Sequence, residues 1–122
     1  MTYDENNIFA KILRGDIPNK TVYEDAHVLS FHDIAPIAPI HVLVIPKAPY
    51  IDFSDFHQNA DKQTIIQFYQ GVEQTIQKLK LLNGYRIVSN KGQDGGQEVP
   101  HFHIHILSGT KLSTENMFKK FH

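Results

Sequence analysis

Between Pro100 and Leu107 the chain alternates His101, His103 and His105 with Phe102, Ile104 and Ile106. Alternation with a period of two is the pattern of a β-strand, whose successive side chains point to opposite faces. A strand over this stretch turns three imidazoles to one face and three apolar side chains to the other. One face can enter a core while the other lines a site. Just upstream, Asn90-Lys91-Gly92-Gln93-Asp94-Gly95-Gly96-Gln97-Glu98 reads as a flexible glycine-rich loop.

The 122 residues fit one domain, with a core over about 8–109 and a tail over 110–122, and they allow a real hydrophobic interior. A formal net charge of −1 offers no basic surface for a nucleic acid, although one local site can still hold a small nucleotide. The absence of cysteine excludes disulfides, thiolate metal sites and cysteine nucleophiles. Met1 to Asn7 is polar and acidic, unlike a secretory leader, and no apolar run is long enough to span a membrane. The expectation is a cytoplasmic protein.

The remaining pattern predicts an α+β class. Ile8 to Arg14 reads as a short helix stopped by Gly15. Thr21 to Glu24 and Val28 to His32 read as strands around a turn at Asp25-Ala26. A proline-punctuated crossing over 33–39 leads to a strand from His41 to Ile45. Asp61 to Leu82 is predicted as the one long helix, with Ile65, Phe68, Tyr69, Val72, Ile76 and Leu79 as its buried stripe and Asn83-Gly84 as its end. Gly71 weakens that helix by about 1 kcal/mol relative to alanine. A strand over 85–89 precedes the glycine loop and the histidine strand. Strands following one another this closely favour an antiparallel sheet, with the helix stripe packed on one face.

Three readings of the histidines compete. On a regular strand His101 and His105 lie roughly 13 Å apart, too far to share one ion, although His103 and His105 could do so with His41 or Asp33. A purely structural run is expensive, because apolar residues would pack there at lower cost. The third reading is nucleophilic catalysis at phosphorus. Neutral imidazole is a nucleophile near pH 7, provided its other nitrogen carries a proton held by an acceptor. A second imidazole can protonate the leaving group, and loop N–H groups can hold the phosphoryl oxygens.

The pattern His-x-His-x-His at 101, 103 and 105 resembles that of the histidine triad family, and within it the Hint-like branch of purine nucleoside phosphoramidate hydrolases. Further matching segments are Ile8-Phe9-Ala10-Lys11-Ile12, Ile17-Pro18, Phe31-His32-Asp33-Ile34, Ala38-Pro39, His41-Val42-Leu43-Val44-Ile45-Pro46-Lys47, Gly84-Tyr85-Arg86 and Gly95-Gly96-Gln97. The resemblance implies a five-stranded antiparallel sheet with one long and one short helix, joined into a ten-stranded sheet in a homodimer. In that dimer the long helix and the strand after it face the two-fold axis, so that a charge at Val72 or Ile76 would break it.

The same resemblance implies roles for single residues. His103 would attack the α-phosphorus, with a backbone carbonyl near His101 holding its second nitrogen. His105 would contact the phosphate and help the leaving group depart, and His41 would support the triad. Asn90, Gly96, Glu98 and Val99 would surround the phosphate. Asp33 would take the ribose hydroxyls. Ile8, Phe9, Ile12, Phe31, His32 and Ile34 would form the pocket for the base of an AMP or GMP moiety. No metal or other cofactor is implied. Glu98 stands where some relatives carry serine, and an ionised glutamate cannot donate a hydrogen bond, which leaves its backbone N–H as the contributing group. Nor does the tail Ser108-Gly109-Thr110-Lys111-Leu112 carry the Gly-Gly-Arg type continuation of many Hint-like chains.

Taken alone, Phe9, Ile12, Phe31 and Ile34 suit any core, Asp33 suits a turn, and Asn90 could merely start one. His27, His57, His122 and Arg86 read as surface groups, as does Lys91 unless it lies near the phosphate. The implied activity is cleavage of the P–N bond in nucleoside phosphoramidates, including adenylated lysine, with aminoacyl adenylates as a further substrate class. Its rivals are a dinucleoside polyphosphate hydrolase, a nucleotide-binding scaffold and a metal-dependent hydrolase.

Overall fold

Five antiparallel strands form one sheet in the order β1-β2-β3-β5-β4. They are β1 Thr21–Glu24, β2 Val28–His32, β3 Ile40–Pro46, β4 Arg86–Val88 and β5 Ile104–Ser108. The computed structural model describes residues 2–113, so His122 and the end of the tail lie outside the described residues. Among the described residues four helices accompany the sheet: α1 Ile8–Leu13, α2 Phe53–Asn59, α3 Lys62–Leu79 and α4 Gly92–Gly95. The α+β class and the five-stranded sheet are as expected, but the expectation of one long and one short helix is too few by α2 and α4.

Both additional helices are short. In α2, Asp52 caps the first turn by accepting from the Asp55 N–H at 2.8 Å. Its seven residues hold two phenylalanines at i and i+3, too few to announce a helical period. The glycine loop closes into the single turn of α4, with Gly92 and Gly96 at φ 67° and 73°.

The two faces of the sheet carry separate cores. Val28, Val42, Val44, Ile104 and Ile106 face α2 and α3 and pack with Phe56, Phe68, Val72, Ile76 and Phe102. Leu29, Phe31, Leu43 and Ile45 face the other way and pack with Phe9 of α1. This alternation buries both faces of β3, in keeping with its unbroken apolar run from Val42 to Ile45.

Helix α3 starts where Asp61 accepts from the Thr64 N–H at 2.7 Å. It stops at Lys80, which adopts the left-handed conformation at φ 56°, before Asn83-Gly84 is reached. Gly71 is required by contact: a Cβ there would lie 2.4 Å from Val28 Cγ2. The helix propensity lost at this position permits close approach to β2. One turn on, the Thr75 hydroxyl lies 2.9 Å from the Ser30 hydroxyl, both buried. Tyr69, expected in the buried stripe, is instead exposed. Val72 and Ile76 are buried in the chain's own core, so a charge at either would strike that core before any interface.

The histidine strand also differs in detail. Regular pairing begins only at Ile104, and Pro100 to His103 runs irregularly into it. Here the Phe102 N–H turns away to the Tyr50 carbonyl at 2.7 Å, while the His101 N–H meets the Val99 carbonyl at 2.9 Å.

Candidate active site

The register of β3 against β5 sets Leu43 opposite His105 and His41 opposite Leu107. His41 and His105 are therefore diagonal neighbours on one face, within reach of each other's rings. His41 Nε2 lies 2.9 Å from His105 Nδ1. Before the regular strand begins, His101 and His103 are also buried, and both rings meet the edge of Phe9. The face expected to line an open site is thus itself buried among apolar residues.

Neighbouring backbone groups decide the ring tautomers. His103 Nδ1 lies 2.7 Å from the His101 carbonyl, which only accepts, so Nδ1 carries the proton and the lone pair belongs to Nε2. His41 Nδ1 accepts from the Ile37 N–H at 3.2 Å, which places the His41 proton on Nε2. That proton is donated to His105 Nδ1, so the His105 proton resides on Nε2. His101 Nε2 donates to the Pro46 carbonyl at 2.8 Å, and its Nδ1 accepts from the Tyr3 hydroxyl at 2.6 Å. Burial, with a smaller contribution from His103, pushes the pKa of His101 down to about 4 against the pull of the Pro46 carbonyl. His101 is therefore neutral at pH 7.

Asp33 follows β2 directly. Its Oδ1 accepts from the Ala35 N–H at 2.8 Å, the turn role open to any aspartate, while Oδ2 lies 3.5 Å from His41 Nε2. Asp33, His41 and His105 each offer a ligand atom, all within 4.8 Å of one another. The hydrogen bonding does not suit a metal. A ligating neutral histidine donates its other N–H to an acceptor, whereas His41 Nδ1 faces the Ile37 N–H, itself a donor.

Phe9 is placed by the start of α1, where Asn7 accepts from the Ala10 N–H at 2.9 Å. Its ring meets His103 edge-on at 5.0 Å and Phe31 at 5.6 Å. Ile12 and Val99 are half-buried against the same cluster. Ile8, His32 and Glu98 are exposed around it, and Ile34 is 93% exposed. Asn90 does what a turn residue would do, donating to the Gly95 carbonyl at 2.6 Å and so closing the loop that ends at Gly96.

Gln97, which the sequence left without a role, ties this loop down. Its amide donates to the carbonyls of Ile51 at 2.8 Å and Val99 at 3.0 Å, and its oxygen accepts from the Gly92 N–H at 3.2 Å. Lys91 is exposed and lies 3.5 Å from Asp52. His57, expected on the surface, is half-buried: it donates to the Phe53 carbonyl, accepts from the Tyr69 hydroxyl and stacks on Phe53. Arg86 is likewise half-buried, donating to the Ser113 carbonyl at 3.1 Å. His27 is exposed, as expected. Asn7 was legible as a capping residue before an apolar run. Tyr3 had no local signal, since its partner is 98 residues away.

The family model described as HIT domain matches residues 14–112. The chain belongs to the HIT family. An uncharacterized 13.2 kDa HIT-like protein of Azospirillum brasilense is 50% identical over 112 residues, covering 91% of this chain and 92% of its own. A HIT family hydrolase from Legionella pneumophila superposes with a TM-score of 0.83 at 37% identity, covering 91% of this chain and 99% of the other. The histidine triad nucleotide-binding protein of Candida albicans superposes with a TM-score of 0.73 at 33% identity, covering 83% and 73%. The HIT domain thus has hydrolases among its structural neighbours. Among the described residues, no helix is long and apolar enough to cross a membrane.

Proposed function

We propose that this HIT domain hydrolyses the P–N bond of purine nucleoside 5′-phosphoramidates, adenylated lysine among them and aminoacyl adenylates as related substrates, through a nucleotidyl-histidine intermediate. The observation that carries this reading is the 2.7 Å contact between His103 Nδ1 and the His101 carbonyl, an acceptor that assigns the proton to Nδ1. An imidazole fixed in this tautomer presents the Nε2 lone pair as nucleophile without first losing a proton.

In the first step His103 Nε2 forms a bond to the α-phosphorus, and the P–N bond to the amine breaks. The leaving nitrogen keeps the electron pair and takes the Nε2 proton of His105, which enters this step as the imidazolium and leaves it as the neutral ring. In the second step water attacks phosphorus, its proton passes to the neutral His105, and the bond to His103 breaks to release the nucleoside monophosphate. Two inversions leave net retention. His41 serves His105 by bonding its Nδ1 at 2.9 Å, which fixes the ring. The Asp33 carboxylate would accept from the ribose hydroxyls. Phe9, Phe31 and Ile12 would form the floor of a base pocket rimmed by Ile8, His32 and Ile34, taking an AMP or GMP moiety. Asn90, Gly96 and the N–H groups of Glu98 and Val99 would surround the phosphate. The printed names of the Legionella and Candida proteins, a hydrolase and a nucleotide-binding protein, support the class of reaction and of ligand.

Adenosine 5′-phosphoramidate incubated with the purified protein in excess chelator should yield AMP and ammonia at an undiminished rate. Activity lost in chelator and restored by zinc would instead favour a metal-dependent hydrolase using Asp33, His41 and His105. Tight AMP binding without turnover would favour a nucleotide-binding module.

We also propose a homodimer. Ile66 and Tyr69 on α3 and Ile87 on β4 are exposed, and β4 forms one margin of the sheet. Joining two such margins would give ten strands and cover apolar surface. Sedimentation showing the mass of a single chain at micromolar concentration would count against it.

A further inference from the structure

We propose that Tyr3 is a positioning residue for the nucleophile: its hydroxyl fixes the His101 ring, and through the His101 carbonyl it fixes the proton on His103. This rests on His103 acting as the nucleophile, as proposed above.

His101 is bonded at both ring nitrogens. Nε2 donates to the Pro46 carbonyl at 2.8 Å, which makes Nδ1 an acceptor, and the Tyr3 hydroxyl meets Nδ1 at 2.6 Å. The Tyr3 ring also packs edge-on to the imidazole at 5.6 Å. Burial raises the pKa of the phenol and lowers that of His101, so the donor keeps its proton and the acceptor keeps its lone pair over the working range. A ring held at both nitrogens cannot turn about its long axis without breaking both bonds.

The backbone here depends on that restraint. Regular pairing of β5 begins at Ile104, so the His101 carbonyl lies outside the strand ladder. It is nevertheless the group that takes the His103 proton at 2.7 Å. In water, neutral imidazole prefers its proton on Nε2. A carbonyl free to drift would let His103 return to that form, in which Nε2 carries a hydrogen in place of the attacking lone pair. The chain of contacts runs from an N-terminal residue, through a side chain and then a backbone, to the proton of the reacting ring. Tyr3 bonds the far side of His101 and has no part in the steps at phosphorus, so its loss should affect the chemical step more than ground-state binding.

Tyr3→Phe keeps the ring and removes only the hydroxyl. In the full-length protein, with adenosine 5′-phosphoramidate as substrate, kcat is expected to fall roughly 10- to 100-fold, the scale of a small misplacement at a reacting centre, with KM within about twofold. Long-range proton–nitrogen spectra should show His103 as Nδ1–H in the wild type and as a mixture of tautomers in the variant. Unchanged kcat and tautomer, with only a lower melting temperature, would overturn the proposal and leave Tyr3 as a structural anchor. If Tyr3→Phe does not fold, a difluorotyrosine at position 3, isosteric but ionising near neutral pH, replaces it. A new alkaline loss of kcat, absent from the wild type, is then expected, and an unaltered pH profile would overturn the proposal. An inactive wild type would sink the hydrolase reading alone, because the His103 tautomer in the two proteins still decides the role of Tyr3.

Discussion

Replacing His103 with alanine is expected to lower kcat for adenosine 5′-phosphoramidate by roughly four to six powers of ten, the loss seen when a covalent nucleophile is removed from an otherwise intact site. The loss should fall on kcat rather than on binding. Phe9 loses its edge contact with the imidazole but keeps its packing on Phe31 and Ile12, the other proposed base contacts, and AMP affinity should stay within a few-fold. Rapid quench of the wild type with labelled substrate should trap label on the protein, and the alanine variant should trap none. A variant within tenfold of wild type would mean that water attacks phosphorus directly, with the imidazoles acting only as acids and bases. The remaining rings are in place to test that alternative, because the 2.9 Å contact between His41 and His105 persists as a bond between those two rings even where the edge contact of His105 with His103 is lost.

The second large effect concerns stability. Phe56 is fully buried, stacked on Phe102 at 4.9 Å and touching Phe68 and Tyr50 edge-on at 5.1 and 5.2 Å. Phe56→Ala should cost about 3–5 kcal/mol, the sum of lost transfer energy and a cavity that stacked rings cannot refill. For a domain of this size that lowers the melting temperature by roughly 10–20 °C, readable by calorimetry. A shift of only a few degrees would show that α2 rides on the surface rather than completing the core. The same core holds Phe102, which lies between His101 and His103, so the stability of this cluster and the placement of the triad share a residue.

Much of this was legible beforehand. The alternation at 101–107 gave the two faces of β5, and β1, β2 and β3 fell within a residue of their expected bounds, because their period and their bracketing turns are local signals. The order of the strands in the sheet was a different matter. It places β5 between β3 and β4, and only that brings His41 beside His105 across 64 residues of sequence. Helix α2 escaped notice because seven residues complete fewer than two turns. Gly71 was read as a weakness because the sequence does not show that Val28 lies against it. The four histidines could be grouped from the sequence, but which nitrogen carries each proton depends on carbonyls and amides that every residue possesses.

That dependence has a consequence. The groups that assign the protons of His41, His101 and His103 are the Ile37 N–H and the carbonyls of Pro46 and His101, all of them main-chain atoms. Side-chain replacement can deepen, widen or recharge the surrounding pocket without erasing any of these three, the one exception being proline at position 37, which would delete its N–H. Substrate preference and protonation pattern are therefore written largely in different parts of the polymer, with Tyr3 as the side chain through which a replacement would reach the second.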